Sequence, residues 1–219
     1  MDFSICFRTT KKRNQNLYVK KPSNVIGLSY IPSFKDESEN DIDWPRHFDG
    51  SGGLPTEISD ANKEALDDIL SKVNVKNVIE IGVARNDVRS FTTQLLYAKK
   101  GIYCGIDIED KTFLNDDLNR VYTIQANSHD QSKIRSYLKT IGLKKCSVLF
   151  IDGWHSVNTV INDWTYTDLL DDKGVVIFHD TNYHPGPNLV VPAIDRSMYR
   201  VVKYCDGGID WGIAAAYKL

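Results

Sequence analysis

The sequence has no CxxC pair. Its cysteines, Cys6, Cys104, Cys146 and Cys205, are scattered, which excludes a thiolate zinc site and a disulfide-dense scaffold. It has no apolar run long enough to span a bilayer and nothing that reads as a signal peptide. A membrane partner is therefore not expected, and a reducing, cytoplasmic setting is the default expectation. It has no excess of either charge: 27 Lys and Arg stand against 29 Asp and Glu, for a net charge of -2. A nucleic-acid partner is not expected, because no global basic field would draw one in. Lys11-Lys12-Arg13 and Lys20-Lys21 are local exceptions and read as solvated surface. There is no GxGxxG, which argues against a nicotinamide-dependent oxidoreductase. There is no internal repeat and no low-complexity tract. What remains is a chain of 219 residues, of a size for one core-bearing domain, with room for an N-terminal appendage.

The stretch from 146 to 181 organises the rest. Two short apolar runs, residues 147–151 and 174–178, are uninterrupted and rich in branched side chains, as strands buried on both faces of a parallel sheet are. The first ends in Asp152 and His155, the second in His179 and Asp180. A helix-length segment, 156–170, lies between them with Ser156 placed as N-cap. Strand, helix, strand makes a crossover unit with parallel strands. Both polar clusters then lie at the carboxyl edge of the sheet, where open α/β sheets bind ligands.

Along the chain, residues 1–55 show poor periodicity and read as an N-terminal extension ahead of a domain at 56–219. Residues 33–41 are polar and acidic, as a loop is. Trp44, His47 and Phe48 sit among Pro and Gly and read as an aromatic plug, with a lid as the alternative. Ala65, Leu66, Ile69, Leu70 and Val73 recur at helical spacing behind Ser59, a plausible N-cap. Strands are expected at 75–83, 101–110 and 121–128, and helices at 88–99 and 130–141. A short helix near 190–198 follows, then strands at 200–205 and 211–218 joined by a hairpin at Gly207-Gly208-Ile209-Asp210. Strands alternating with helices and closed by a hairpin predict a doubly wound α/β fold. Its sheet is mostly parallel, of about seven strands, with an antiparallel last strand.

Three groups carry candidate chemistry. Gly82 breaks the first strand at Glu80-Ile81-Gly82, so the backbone can approach a ligand near the positive end of the next helix. Asp107 ends the second strand, where an acid accepts hydrogen bonds from ribose hydroxyls. Asn127 and Ser128 follow the third strand and can meet the edge of an adenine, although an N-cap by Ser128 or Asp130 explains the same residues. At the organising edge, Asp152 and Asp180 are hard donors for a divalent cation. His155 is a candidate general base, since an unperturbed imidazole, with a pKa of about 6.5, suits neutral pH. Asp163 and Trp164, inside the intervening helix, read as packing and a salt bridge or helix surface. Tyr183-His184-Pro185-Gly186-Pro187-Asn188 reads as a rigid turn or a pocket wall, with His184 as a further polar candidate.

These residues resemble a known family. EIGVAR, GIDI, FIDGWHSVNTVINDW and GVVIFHDT, in this order over about residues 75–219, are similar to class I S-adenosylmethionine-dependent methyltransferases. The closest likeness is to the methyltransferase 24 and cephalosporin-hydroxylase-like O-methyltransferases. The resemblance implies S-adenosylmethionine as cofactor, with Glu80 and Gly82 beside its methionine moiety, Asp107 on the ribose, and Asn127 and Ser128 flanking the adenine. Asp152 would lie at the cofactor as well. It implies Mg²⁺ or another divalent ion on Asp152, His179 and Asp180, with His155 as base, and methyl transfer to the hydroxyl of a small molecule or sugar. A homo-oligomer is compatible with it. The chain departs from the family twice: Asn86-Asp87 stands where a further glycine is usual, and His179 stands where the metal enzymes have an acid. The first departure motivates a rival reading, a catalytically inactive binding or structural protein on the same scaffold.

Overall fold

A computed structural model describes residues 18–43, 59–83, 100–204 and 210–219. Within them, β1 (Tyr18–Pro22) and β2 (Tyr30–Phe34) form an antiparallel hairpin of their own. The main sheet contains β3 (Asn77–Ile81), β4 (Ile102–Asp107), β5 (Val121–Gln125), β6 (Cys146–Ile151), β7 (Leu170–His179), β8 (Tyr199–Tyr204) and β9 (Ile213–Lys218). Its seven strands are ordered β5-β4-β3-β6-β7-β9-β8. Strands β3 to β7 pair in parallel, and β9 runs antiparallel to both β7 and β8. The antiparallel last strand expected from the closing hairpin is therefore present, inserted between β7 and β8.

Period-two alternation explains why the strands are apolar throughout. Ile79, Ile81, Cys104, Ile106, Leu149, Ile151, Val176 and Phe178 pack on one side of the sheet. On that side lie α2 (Gln131–Thr140), α3 (Val157–Trp164) and α4 (Pro185–Ala193). Their neighbours Val78, Tyr103, Val148, Phe150, Val175 and Ile177 face the other side, with α1 (Asp60–Ser71). With both faces covered, an alternating residue has no solvent face to occupy. Cys104 and Cys146 are buried and free, as small core residues. Burial pushes the Cys104 thiol up to about 12 and that of Cys146 higher still, so neither is a thiolate nucleophile at neutral pH. The expected caps hold: the hydroxyls of Ser59 and Ser156 accept from Asn62 N–H (3.1 Å) and Thr159 N–H (3.3 Å). At α2 the cap is Asp130, which accepts from Lys133 N–H at 3.1 Å.

Several expectations from the sequence need correction. The helix expected over 156–170 ends at Trp164, and Thr165–Leu169 tightens into a 3-10 turn. Thr165 and Thr167 are β-branched, and Thr165 Oγ1 donates back to the Asn162 carbonyl at 2.6 Å, which competes with a regular helix. The helix expected near 190–198 spans Pro185–Ala193 instead. Its prolines misled the periodicity: Pro185 occupies the first turn, where a missing N–H leaves nothing unsatisfied. The 183–188 stretch is thus mostly a helix start rather than a turn. The acidic stretch 33–41 is structured too: Ser33 and Phe34 close β2, and Glu37–Asp41 forms a 3-10 turn capped by Asp36. Residues 44–58 and 84–99 lie outside the described residues. With them lie the Trp44, His47 and Phe48 plug, the Asn86-Asp87 loop and the helix expected at 88–99.

The hairpin β1–β2 is seated on the domain. Phe34 is buried against Val157 and Leu189. The indole Nε1–H of Trp164 donates to the Ile26 carbonyl at 2.9 Å, and Asp195 N–H donates to the Gly27 carbonyl at 2.8 Å. Beyond the hairpin, residues 41–43 run over the carboxyl edge of the sheet: Trp154 Nε1–H donates to the Asp41 carbonyl and Asn158 Nδ2–H to Asp41 Oδ1.

Candidate active site

The strand order reverses between β3 and β6: from β3 the sheet grows through β4 and β5 on one side, and through β6 and β7 on the other. The register places Ile81 opposite Ile151, and Ile151 opposite Phe178. Gly82, Asp152, His179 and Asp180 therefore emerge at one level on one edge. This is the switch point at which open α/β sheets form a ligand crevice. A cavity of about 590 Å³ opens there, lined by Gly82, Asp107, Asn127, Ser128, Asp152 and Gly153 among others.

Gly82 makes that crevice. Its φ is +85°, and a Cβ on it would stand 2.1 Å from the carbonyl oxygen of Asp152. Only glycine allows β3 and β6 to diverge this closely. Asp107 is fixed by backbone amides: Val83 N–H donates to Oδ2 (2.9 Å) and Glu109 N–H to Oδ1 (2.8 Å). Asn127 is held in an Asx turn, its Oδ1 accepting from His129 N–H at 3.0 Å. Ser128 is anchored through its carbonyl, which accepts from the Tyr166 hydroxyl at 2.7 Å. Glu80 does not line the cavity; it is buried beneath, taking a hydrogen bond from the Tyr103 hydroxyl.

At the other end, acids and imidazoles interlock. His155 Nε2 lies 3.0 Å from Asp180 Oδ2 and 3.4 Å from Asp152 Oδ1. His179 Nδ1 lies 3.3 Å from an oxygen of each of the same two carboxylates. The expected cluster of Asp152, His155, His179 and Asp180 is thus brought together. Burial works against charge on both imidazoles, but Asp180 and Asp152 outweigh it and hold His155 and His179 well above the ordinary histidine value; Asp43 adds to this at His155. Asp180 is held well below the usual carboxylate range by His179 and His155, against its own burial. It sits at φ +59°, a left-handed conformation for a non-glycine residue, and such strain tends to occur at functional positions.

The sequence reading missed Asp43. It lies in the N-terminal segment, remote in sequence from the histidines it touches. Oδ2 accepts from His155 N–H (3.3 Å) and lies 3.5 Å from His155 Nδ1, while Oδ1 lies 2.5 Å from His184 Nδ1. His184 was a candidate from sequence alone, and the structure brings it against His155, with ring centroids 4.4 Å apart. Burial raises the Asp43 carboxyl, yet hydrogen bonds from His155 and His184 hold it far below its usual range. Asn62, also unforeseen, reaches from α1, its Nδ2 3.1 Å from His179 Nε2. Its Oδ1 is buried without a partner. A half-turn of the amide would give His179 Nε2–H an acceptor and leave Nδ1 to face the carboxylates.

No family model matches the chain, and no curated protein matches it. Solved structures do. MycE, a methyltransferase from the mycinamycin biosynthetic pathway, in complex with Mg, SAH and mycinamycin VI, shares 18% identity at a TM-score of 0.51. The match covers 72% of this chain and 49% of MycE, so the chain spans about half the length of that protein. A candidate O-methyltransferase from Klebsiella pneumoniae shares 15% identity over 76% of this chain and 84% of its own, at a TM-score of 0.55. Cofactor-bound Rv0187 from MTB shares 14% over the same shares of the two chains, at 0.54. The fold is that of the class I methyltransferases. Asp152 borders both features of this edge: it lines the cavity and lies against His155 and His179. Among the described residues, no helix is long and apolar enough to cross a membrane.

Proposed function

We propose that this chain is an S-adenosylmethionine-dependent methyltransferase that acts on a hydroxyl of a small molecule. The observation that carries the reading is the shared position of Asp152. It lines the roughly 590 Å³ cavity and also faces His155 and His179. A nucleoside in the cavity would thus have its reactive end beside the cluster. Asp107 would take the ribose hydroxyls, Asn127 and Ser128 would border the adenine, and the backbone at Gly82 would lie along the methionine end. Similarity to MycE, solved with SAH and a small-molecule ligand, and to cofactor-bound Rv0187 supports the assignment.

The reaction asks for a base and for charge stabilisation at the acceptor oxygen. S-adenosylmethionine held by Asp107, Asn127 and Ser128 would supply the methyl group and leave as the neutral thioether, while His155 Nε2 would take the proton of the acceptor hydroxyl. For this His155 must hold its other proton on Nδ1, and Asp43 lies there to accept it. The donors of Asp152, His179 and Asp180 lie within 4.8 Å of one another, close enough to hold one divalent ion. Two carboxylates suit Mg²⁺, whereas the imidazole shifts preference towards Mn²⁺ and later metals. Such an ion would polarise the acceptor oxygen and offset the negative charge that keeps His155 protonated.

Methyl transfer from radiolabelled S-adenosylmethionine to a panel of sugars and hydroxylated small molecules tests the reading. His155→Ala and Asp180→Asn are expected to lower turnover by about 100-fold or more, while cofactor affinity changes little. Turnover at the wild-type level by both variants would remove them from the mechanism.

A further inference from the structure

Three side chains meet at the flank of the cluster: Asp43 from the N-terminal segment and His184 at the start of α4, which lie outside it, and His155 after β6, which faces both groups. Each side chain is about nine-tenths buried. One donor atom from each lies within 4.8 Å of the others. We propose that Asp43, His155 and His184 form a second metal site, distinct from Asp152–His179–Asp180, that takes a nitrogen-preferring divalent ion of the Zn²⁺ class.

Donor chemistry selects the ion. Two imidazoles and one carboxylate suit Zn²⁺ and its transition-metal neighbours, whereas Mg²⁺ prefers an all-oxygen shell. The outer contact of His155 has the form that metal-bound histidines use, in which the ring nitrogen away from the metal donates to a carboxylate. His155 turns Nδ1 to Asp43 and Nε2 to Asp180 Oδ2, 3.0 Å away. His184 turns Nδ1 to Asp43 Oδ1, and its ring packs beside the indole of Trp211 with centroids 5.7 Å apart.

The backbone is fixed as well. Gly186 N–H donates to the His155 carbonyl at 2.7 Å, and a Cβ on Gly186 would stand 2.4 Å from that oxygen. This close approach sets His184 against His155. Asp43 is positioned by the seated hairpin and by the hydrogen bond from His155 N–H. Three separate segments thus converge on one point. Three protein donors leave a coordination position for water.

Between Asp43 and His155 Nδ1 there is room for either a proton or a metal ion. With a proton on Nδ1, His155 Nε2 can act as the base proposed above. With a metal on Nδ1, Nε2 keeps its hydrogen and donates it to Asp180. Zinc binding itself does not depend on the methyltransferase reading. If that reading holds, zinc at this site inhibits methyl transfer.

The test titrates the chelator-stripped full-length chain with Zn²⁺ against a chromophoric chelator, then records zinc X-ray absorption on the loaded protein. Asp43→Asn and His184→Ala are each expected to weaken Zn²⁺ binding by about 10-fold or more, and His179→Ala to leave this site intact. The absorption spectrum is expected to show two imidazoles on the bound zinc. A single imidazole, no tight zinc, or zinc lost in His179→Ala but kept in the Asp43 and His184 variants would overturn the proposal. The spectrum is taken on the wild-type chain, so a variant that fails to fold does not decide the outcome.

Discussion

At the scale of single residues, Gly82 and Asp163 show opposite uses of burial. Gly82 is needed because a side chain would collide with the Asp152 carbonyl at positive φ. Gly82→Ala is expected to lower stability by about 2 kcal/mol or more and to remove nucleoside binding, read by thermal unfolding and calorimetry. Asp163 is fully buried in α3, with Oδ2 unpartnered. Burial raises its carboxyl to about 7, with Ser128 and Asn162 only partly offsetting the effect. The sequence reading as packing and a salt bridge or helix surface gave no sign of this. Below about pH 4 the group is protonated in both folded and unfolded chains. From there to about pH 7 the unfolded chain loses the proton while the folded chain keeps it, so stability falls as pH rises and levels off above that range. Asp163→Asn is expected to flatten this decline. Urea unfolding at pH 5 and pH 8 measures it: the stability difference between the two pH values should shrink in the variant by an amount on the order of 1–3 kcal/mol.

At the scale of elements, the strands of the main sheet and the starts of α1 and α3 were legible because their causes are local. Uninterrupted branched runs marked β6 and β7, apolar runs ending at Gly82 and in acids marked β3 and β4, and a polar residue ahead of an apolar period marked the caps of α1 and α3. The ends of elements were less legible. The 3-10 turn after Trp164 and the proline-led start of α4 depend on tertiary packing that periodicity does not encode. The hairpin β1–β2 was not legible, since its short strands gain their burial from α3 and α4. Phe34 is 1% exposed between Val157 and Leu189. Phe34→Ala is expected to cost about 3 kcal/mol and to loosen the hairpin. Limited proteolysis should then cut the N-terminal segment first, and Zn²⁺ binding should weaken because Asp43 is no longer held. Equal protease resistance in variant and wild type would show that the hairpin is held by other contacts.

At the scale of the whole molecule, the candidate site residues are concentrated where the sheet changes direction. Asp107, Asp152, His155, His179 and Asp180 were legible because each follows a strand that ends at the same edge, so the order of strands alone brings them together. Asp43 and Asn62 were not, because they arrive from the hairpin segment and α1 through contacts that span 112 and 117 residues of chain. No local pattern records contacts of that range. The outcome is one crevice with a cavity of about 590 Å³ that meets a cluster of acids and imidazoles at Asp152. The central claim is that this crevice holds S-adenosylmethionine. Calorimetric titration of the full chain with S-adenosylmethionine and S-adenosylhomocysteine, in Mn²⁺ or Mg²⁺ and then in EDTA, tests it most directly. The account predicts binding in the micromolar range that Asp107→Ala weakens by at least about 10-fold. Absence of binding in every condition by a folded wild-type chain would contradict it and leave the fold as a scaffold without its cofactor.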